Sequence, residues 1–185
     1  SHYEESLRVP LIIYDPRAEK KRQGKVAIPM ALNTDIAPTI LGYAGVKIPG
    51  HYQGRNLRPI MSGEKPKNWR RDTFCEHLME NGTIPKWEGV RSKRYVYARY
   101  FQQNPQYEYL HDLKKDPDQL KNLAENQEYA KVLKRMRKRC NSLRDEYGGK
   151  YDPSLVANYI AEQQRKRAET QAKRKASQQK KKEQK

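Results

Sequence analysis

Cysteine is scarce in this chain: Cys75 and Cys140 are the only two in 185 residues. Two cysteines cannot build a disulfide framework or a four-cysteine zinc site, and the spacing alone leaves open two thiols or a single bridge. Long apolar runs are missing too. No stretch approaches the ~18–20 apolar residues of a membrane-spanning helix, which excludes an integral membrane protein of that kind. The start, Ser1-His2-Tyr3-Glu4-Glu5, has no basic segment followed by an apolar one, so no signal peptide is visible; with no Met at position 1, the chain reads as a fragment or a processed piece. There is no glycine-rich phosphate loop, no dinucleotide-binding glycine pattern, no HExxH and no GxSxG. The four histidines, His2, His51, His77 and His111, are scattered without metal-ligand spacing. Lone histidines at His51 and His111 read as ordinary surface or core residues.

Acidic residues are the minority: 22 against 39 Lys and Arg, for a formal net charge of +17. The excess is uneven. Gln163–Lys185 holds ten basic and two acidic residues, a net of +8 in 23 positions, with no aromatic residue and no Leu, Ile or Val. Such a segment has too little apolar surface to offset chain entropy, so it reads as disordered or as a solvated single helix. Its Ala, Gln, Lys and Arg favour the helix. It is either a solubilising tail or a binder of polyanions without sequence preference.

Upstream, Val9–Tyr14 (VPLIIY) reads as a short buried strand closed by Asp15-Pro16. Ala18–Lys25 is a polar basic loop. Ile36, Ile40, Leu41 and Tyr43 or Ala44 recur at helical spacing, with Thr34 or Asp35 as N-cap, Pro38 in the first turn and Gly45 past the end. Asn56–Met61 allows one helical turn. Thr73–Leu78, Val90–Ser92, Arg94–Phe101 and Tyr107–Asp112 read as strands joined by short turns, which predicts an antiparallel sheet. Asp116-Pro117 opens a helical region in which Leu120, Leu123, Tyr129, Val132, Leu133, Met136, Cys140 and Leu143 fall at three- and four-residue spacings. Within it, Gln127–Tyr147 is a helix with one apolar face for the sheet, ended by Gly148-Gly149. Asp152-Pro153 starts a weaker helix that runs into the basic tail.

Particular phrases go further. Tyr3-Glu4-Glu5-Ser6-Leu7-Arg8-Val9-Pro10-Leu11-Ile12-Ile13 resembles the YEES-x-R-x-P-L-I-I segment of type I sulfatases. Asn33 to Leu41, followed by Ala44-Gly45, is similar to the family's D-(I/L)-x-P-T-(I/L)-L helix. Gln53-Gly54-Arg55-Asn56-Leu57 resembles QGRSL, and Glu88-Gly89-Val90-Arg91-Ser92-Lys93-Arg94-Tyr95 resembles GVRTxRY. Leu110-His111-Asp112-Leu113-Lys114-Lys115-Asp116-Pro117, with Asn122-Leu123-Ala124, resembles LYDLxxDPxExxNLA. These phrases keep the family order across Tyr3–Leu143. The resemblance implies the end of an α/β, alkaline-phosphatase-like catalytic domain over residues 1–62. It implies a small α+β C-terminal subdomain, antiparallel sheet plus helix, over 69–149. A basic tail covers 150–185.

The resemblance also implies a chemistry: a hydrated formylglycine, made from Cys or Ser in C/S-x-P-x-R, attacks sulfur beside a calcium ion. Neither cysteine has Pro two residues on, and the paired aspartates of the calcium site have no counterpart. The sulfate-binding Lys would lie a few residues before Tyr3. The expectation is therefore a part of a sulfatase that lacks the nucleophile and metal ligands, is inactive alone, and supplies scaffold and substrate-cleft loops for a sulfated substrate. The candidate substrate-binding residues are Glu76, His77, Glu80, Lys86, Glu88 and Arg91: carboxylates for sugar hydroxyls, His77 for a hydroxyl or the leaving oxygen, Lys86 for a second anion. Arg91 is alternatively a structural ion pair with the sheet. Glu4 and Arg8 are expected near the site as a structural pair, Asp35 as an N-cap, and Gly54 as a positive-φ position. Many relatives are exported. In isolation, residues 9–14 would lack most of the parent sheet. Two further readings stand beside this one: a phosphodiesterase or phosphonate hydrolase of the same superfamily, and a basic nucleic-acid-binding module.

Overall fold

The computed structural model describes residues 1–79 and 84–183; for 155, 156, 159, 160 and 173–183 it describes the backbone only. The candidate Glu80 and the Asn81-Gly82-Thr83 part of its turn lie outside the described residues. The chain forms two compact units, Ser1–Tyr147 and Gly148–Lys185.

The first unit is built on four antiparallel strands in sequential order: β1 Asp72–His77, β2 Trp87–Ser92, β3 Tyr95–Tyr100 and β4 Tyr107–Asp112. Aromatic and β-branched residues at alternate positions suit a pleated surface covered on both sides. Register assigns the faces. Phe74 pairs with Val90, Val90 with Tyr97 and Tyr97 with Leu110, so these four share one face. His77 pairs with Trp87, Ala98 with Tyr109 and Val96 with His111, which places those residues on the other face.

The first face carries the core. A 3-10 turn, Gln127–Tyr129, leads into α4, Ala130–Glu146, whose Leu133, Met136, Cys140 and Leu143 are buried against Val90, Tyr97 and Leu110. Each such aliphatic side chain contributes about 1.5–3 kcal/mol on burial. Ion pairs fasten the helix to the strands: Arg139 to Asp72 at 2.8 Å, Arg137 to Glu108, and Arg144 to Glu88. Positive-φ conformations at Gly148 and Gly149 end it as expected.

The helix does not begin near Asp116-Pro117. There the Asp116 carboxylate accepts from Leu120 N and Lys121 N, while Asn122 Oδ1 accepts from Leu110 N and Ala124 N. Short polar side chains have taken the backbone donors and hold a turn instead. Leu120, expected on the apolar face, is consequently 86% exposed.

Ahead of the sheet lie α1 Glu4–Leu7, α2 Ile36–Tyr43 and α3 Arg58–Met61. Three expectations are corrected here. Val9–Tyr14 is neither a strand nor buried: Ile12 is 90% exposed. A strand needs a neighbour for its backbone, and no described strand pairs with it. Asp35 does not cap α2. Its carboxylate is fully buried, accepts from Leu32 N at 2.8 Å and Arg55 N at 2.7 Å, and is gripped by both terminal nitrogens of Arg70. Gly54 does not have a positive φ. It is required because a Cβ there would stand 1.8 Å from the Thr34 carbonyl oxygen.

Candidate functional site

The helix-free face of the sheet is covered by the chain's own first residues. Gln119 Oε1 accepts from Glu4 N at 2.6 Å, with Gln119 buried in a left-handed conformation at φ 54° that side chains rarely adopt. Arg91 forks onto Glu4, Nε to Oε1 at 3.0 Å and Nη2 to Oε2 at 2.8 Å. The partner of Glu4 is thus Arg91, across the sheet. The expected Arg8–Glu4 fork is not formed: Arg8, at the end of α1, is exposed.

This docking seats His2 in an aromatic nest. Its ring stacks on His111 at 5.5 Å and lies 4.6 Å from Tyr109, 5.7 Å from Tyr100 and 6.2 Å from Trp87. Hydrogen bonds order the protons. His111 Nδ1 faces the Lys121 carbonyl at 3.1 Å, so it must donate. His111 Nε2 then accepts from His2 Nε2 at 3.3 Å, and His2 Nδ1 accepts from the Tyr100 hydroxyl at 2.9 Å. With both imidazoles neutral the donors run in one direction, Tyr100→His2→His111→Lys121. Burial, aided by His111, pushes His2 down to about 4, and burial also lowers His111. Burial holds the Tyr100 hydroxyl up at about 12, so it remains a donor.

Both pKa values lie below the ordinary histidine value, so the unfolded state binds more protons in acid. The contribution to stability is complete above about pH 6.5 and is lost as pH falls through that value toward about 4. Urea unfolding across this window should show stability falling with pH. His2→Phe should remove up to ~1.4 kcal/mol per pH unit from the slope. An unchanged slope in His2→Phe would mean that His2 is not buried neutral.

At the β1–β2 end of the same face, two ring nitrogens are left without a hydrogen-bond partner: His77 Nε2 and Trp87 Nε1, both buried. The two residues are directly opposed in the register. A buried unsatisfied polar atom costs about 1–3 kcal/mol, and Gln119 Nε2 is a third such atom in this unit.

The remaining candidates separate from this pair. Glu88 neighbours Trp87 but points to the helix face, where Arg99 and Arg144 neutralise it. Glu76 also faces that side, on exposed surface, where desolvation and the neighbouring Glu88 charge raise its carboxyl. Strand alternation therefore divides a set that looked contiguous in sequence. Lys86 is buried and already engaged within the protein. Arg91 lies on the His77 face but is committed to Glu4. Trp87, His2 and Gln119 were missed as site residues. Trp87 and His2 become visible only once register puts them beside His77 and Tyr100.

Cys75 and Cys140 are both free. Burial pushes their thiols up to about 11 and about 12, the reverse of what a nucleophile needs. Among the described residues, no group of three His, Cys, Asp or Glu stands together as a metal cradle. The residues present do not fit a calcium ion or a formylglycine precursor. No helix among them is long and apolar enough to cross a membrane.

A sequential antiparallel sheet backed by one helix matches the C-terminal subdomain of alkaline-phosphatase-like hydrolases. The chain belongs to the family described as "N-sulphoglucosamine sulphohydrolase, C-terminal", whose model matches residues 1–146. It is 31% identical over 150 residues to an N-acetylglucosamine-6-O-sulfatase of Bacteroides thetaiotaomicron, covering 78% of this chain and 26% of that protein. Among solved structures it resembles one in complex with its substrate D-glucosamine-2-N,6-O-disulfate, at TM-score 0.56 and 25% identity, over 61% of this chain and 24% of the other. It also resembles the phosphonate monoester hydrolase of Agrobacterium radiobacter, at TM-score 0.51 and 26% identity, over 60% and 24%. The chain spans about a quarter of the length of the relatives it matches.

Proposed function

We propose that this chain is the C-terminal part of a hydrolase of sulfate esters on sulfated glycans, and that it contributes scaffold and one wall of the substrate cleft. In this reading residues 1–62 complete the catalytic α/β domain and 69–149 form the C-terminal subdomain. The observation that carries it is the match to the sulphohydrolase family over nearly the whole first unit. The sulfated glucosamine held by a structural neighbour supports the substrate class. The exposed run Val9–Tyr14 fits a strand awaiting a neighbour in the larger sheet. The formylglycine and the calcium ion belong, in this reading, to parts of the enzyme outside these residues.

His77 and Trp87 are the proposed sugar-facing pair. Their free ring nitrogens lie at the end of the sheet where Trp87 meets His2. The resemblance places the sulfate-binding Lys a few residues ahead of Tyr3, so this edge borders the scissile group. A sugar hydroxyl or sulfate oxygen would satisfy both donors.

The complete protein should release sulfate from a sulfated glucosamine, and the 185-residue chain should release none. Turnover by the purified chain, lost on calcium chelation, would overturn the division of labour. The likeness to a phosphonate hydrolase gives the second reading its footing, and parallel assays on a phosphonate monoester separate the two.

A further inference from the structure

The residues proposed to face the sugar all belong to the first unit, and the second has its own chemistry. Its helix α5, Pro153–Glu183, runs 31 residues, a length of about 46 Å. The basic residues of its latter part come in three triplets: Arg165-Lys166-Arg167, Lys173-Arg174-Lys175 and Lys180-Lys181-Lys182. The triplet centres, 166, 174 and 181, are eight and seven residues apart, close to two helical turns. At 3.6 residues per turn they fall within a sector of about 80° around the axis, one triplet every ~11 Å. Only the triplet centres define this stripe: the flanking members of each triplet lie about 100° to either side, and Glu162, Glu169 and Glu183 fall among them.

Several arginines of the first unit are used internally. Arg70, Arg91, Arg99, Arg137, Arg139 and Arg144 each meet a carboxylate of the sheet, the N-terminal segment or the turn before α2. In α5 the ion pairs are of another kind: Lys166 to Glu162 at 2.6 Å and Arg165 to Glu169 at 3.6 Å, both one turn apart on exposed surface. Pairs like these stiffen a helix by only a few tenths of a kcal/mol and open readily to a competing anion. With no aromatic residue from Gln163 on, the triplet-bearing part of the helix carries no ring on which a nucleobase can stack, and stacking carries much of single-strand nucleic-acid binding. Basic triplets repeated every two turns along a helix instead match anions repeated along an extended polymer.

We infer that α5 is a capture helix for the sulfated glycan chain itself, binding the polymer through the three basic triplets while the cleft acts on a terminal sugar. The choice of polymer rests on the function proposed above; the polyanion-binding stripe does not. Capture of this kind acts on long substrates and leaves short ones alone.

The test uses a variant with all nine triplet residues replaced by Gln, which keeps helix propensity, with helicity checked by circular dichroism. Heparin and a single-stranded DNA oligonucleotide are the probes, titrated by calorimetry against the 185-residue chain in 0.15 M salt. Heparin should bind with a steep salt dependence, and the variant should lose at least about 100-fold in affinity with a much flatter slope. In the complete protein the variant should raise KM for a sulfated polymer about tenfold and leave kcat/KM for a sulfated monosaccharide unchanged. Heparin affinity equal in variant and parent would overturn the inference, and so would DNA binding as tight as heparin binding. Absence of sulfate release by the parent enzyme would instead overturn the proposed function, while the heparin titration still reads the stripe.

Discussion

Arg70→Met should destabilise the chain by about 3–5 kcal/mol, because it strands a charge with no route to water. Asp35 is fully buried and the Arg70 side chain is only 8% exposed, so neither can be rehydrated without opening the packing. The carboxylate would keep its bonds from Leu32 N and Arg55 N, but these are dipoles and do not neutralise it. The loss is a large fraction of the ~5–15 kcal/mol that holds an ordinary domain. Trp69 is a reporter in place: its Nε1 donates to the Met30 carbonyl at 2.8 Å, and the Arg70 guanidinium lies 5.2 Å from its ring centre. Urea unfolding followed by tryptophan fluorescence measures the loss. The double change Asp35→Asn with Arg70→Met should cost less than Arg70→Met alone, since the unpaired charge is gone. If the double variant is the worse of the two, the buried pair stabilises more through its geometry than through charge compensation.

In the complete enzyme, His77→Ala should lower kcat/KM on a sulfated glucosamine by roughly 10- to 100-fold, the range of one hydrogen bond to a polar or charged group. Trp87→Phe is the cleaner companion. It keeps an aromatic ring opposite His77 and in contact with Tyr100, while removing the unpartnered Nε1. Both variants also lose packing, since Trp87 is buried and His77 partly so; midpoints within a few degrees of the parent, checked by thermal unfolding, keep the kinetic reading clean. Arg91→Ala behaves differently in this scheme. It releases the Glu4 carboxylate and loosens the N-terminal segment, so its loss should appear in stability as much as in rate. Unchanged kinetics in both His77→Ala and Trp87→Phe would remove this edge of the sheet from the cleft.

Local sequence determined the elements whose signal lies in adjacent residues. β1, β3 and β4 were legible from alternation and turn residues within one residue of their ends; β2, read from Val90, begins three residues earlier at Trp87, and α4, read from Gln127 by its apolar spacing and terminal glycines, begins at Ala130 after a 3-10 turn. Family membership was legible in the same way, since five short phrases in order need no fold to be recognised. The tail was narrowed to coil or single helix by composition, and the helix is what forms.

Tertiary structure alone decided the partners. Asp35 looks like a cap in sequence, yet its strongest partner is Arg70, 35 residues on; Glu4 looks made for Arg8 and finds Arg91, 87 residues away. Glu76, His77, Lys86, Trp87 and Glu88 crowd one stretch of sequence, and strand alternation sends His77 and Trp87 to one face, Glu76 and Glu88 to the other. Val9–Tyr14 has every local mark of a strand and is none, because a strand is a relation between two segments. Propensity and periodicity act over a few residues and survive without context. Ion pairs, register and burial depend on distant chain brought close, and only packing specifies them.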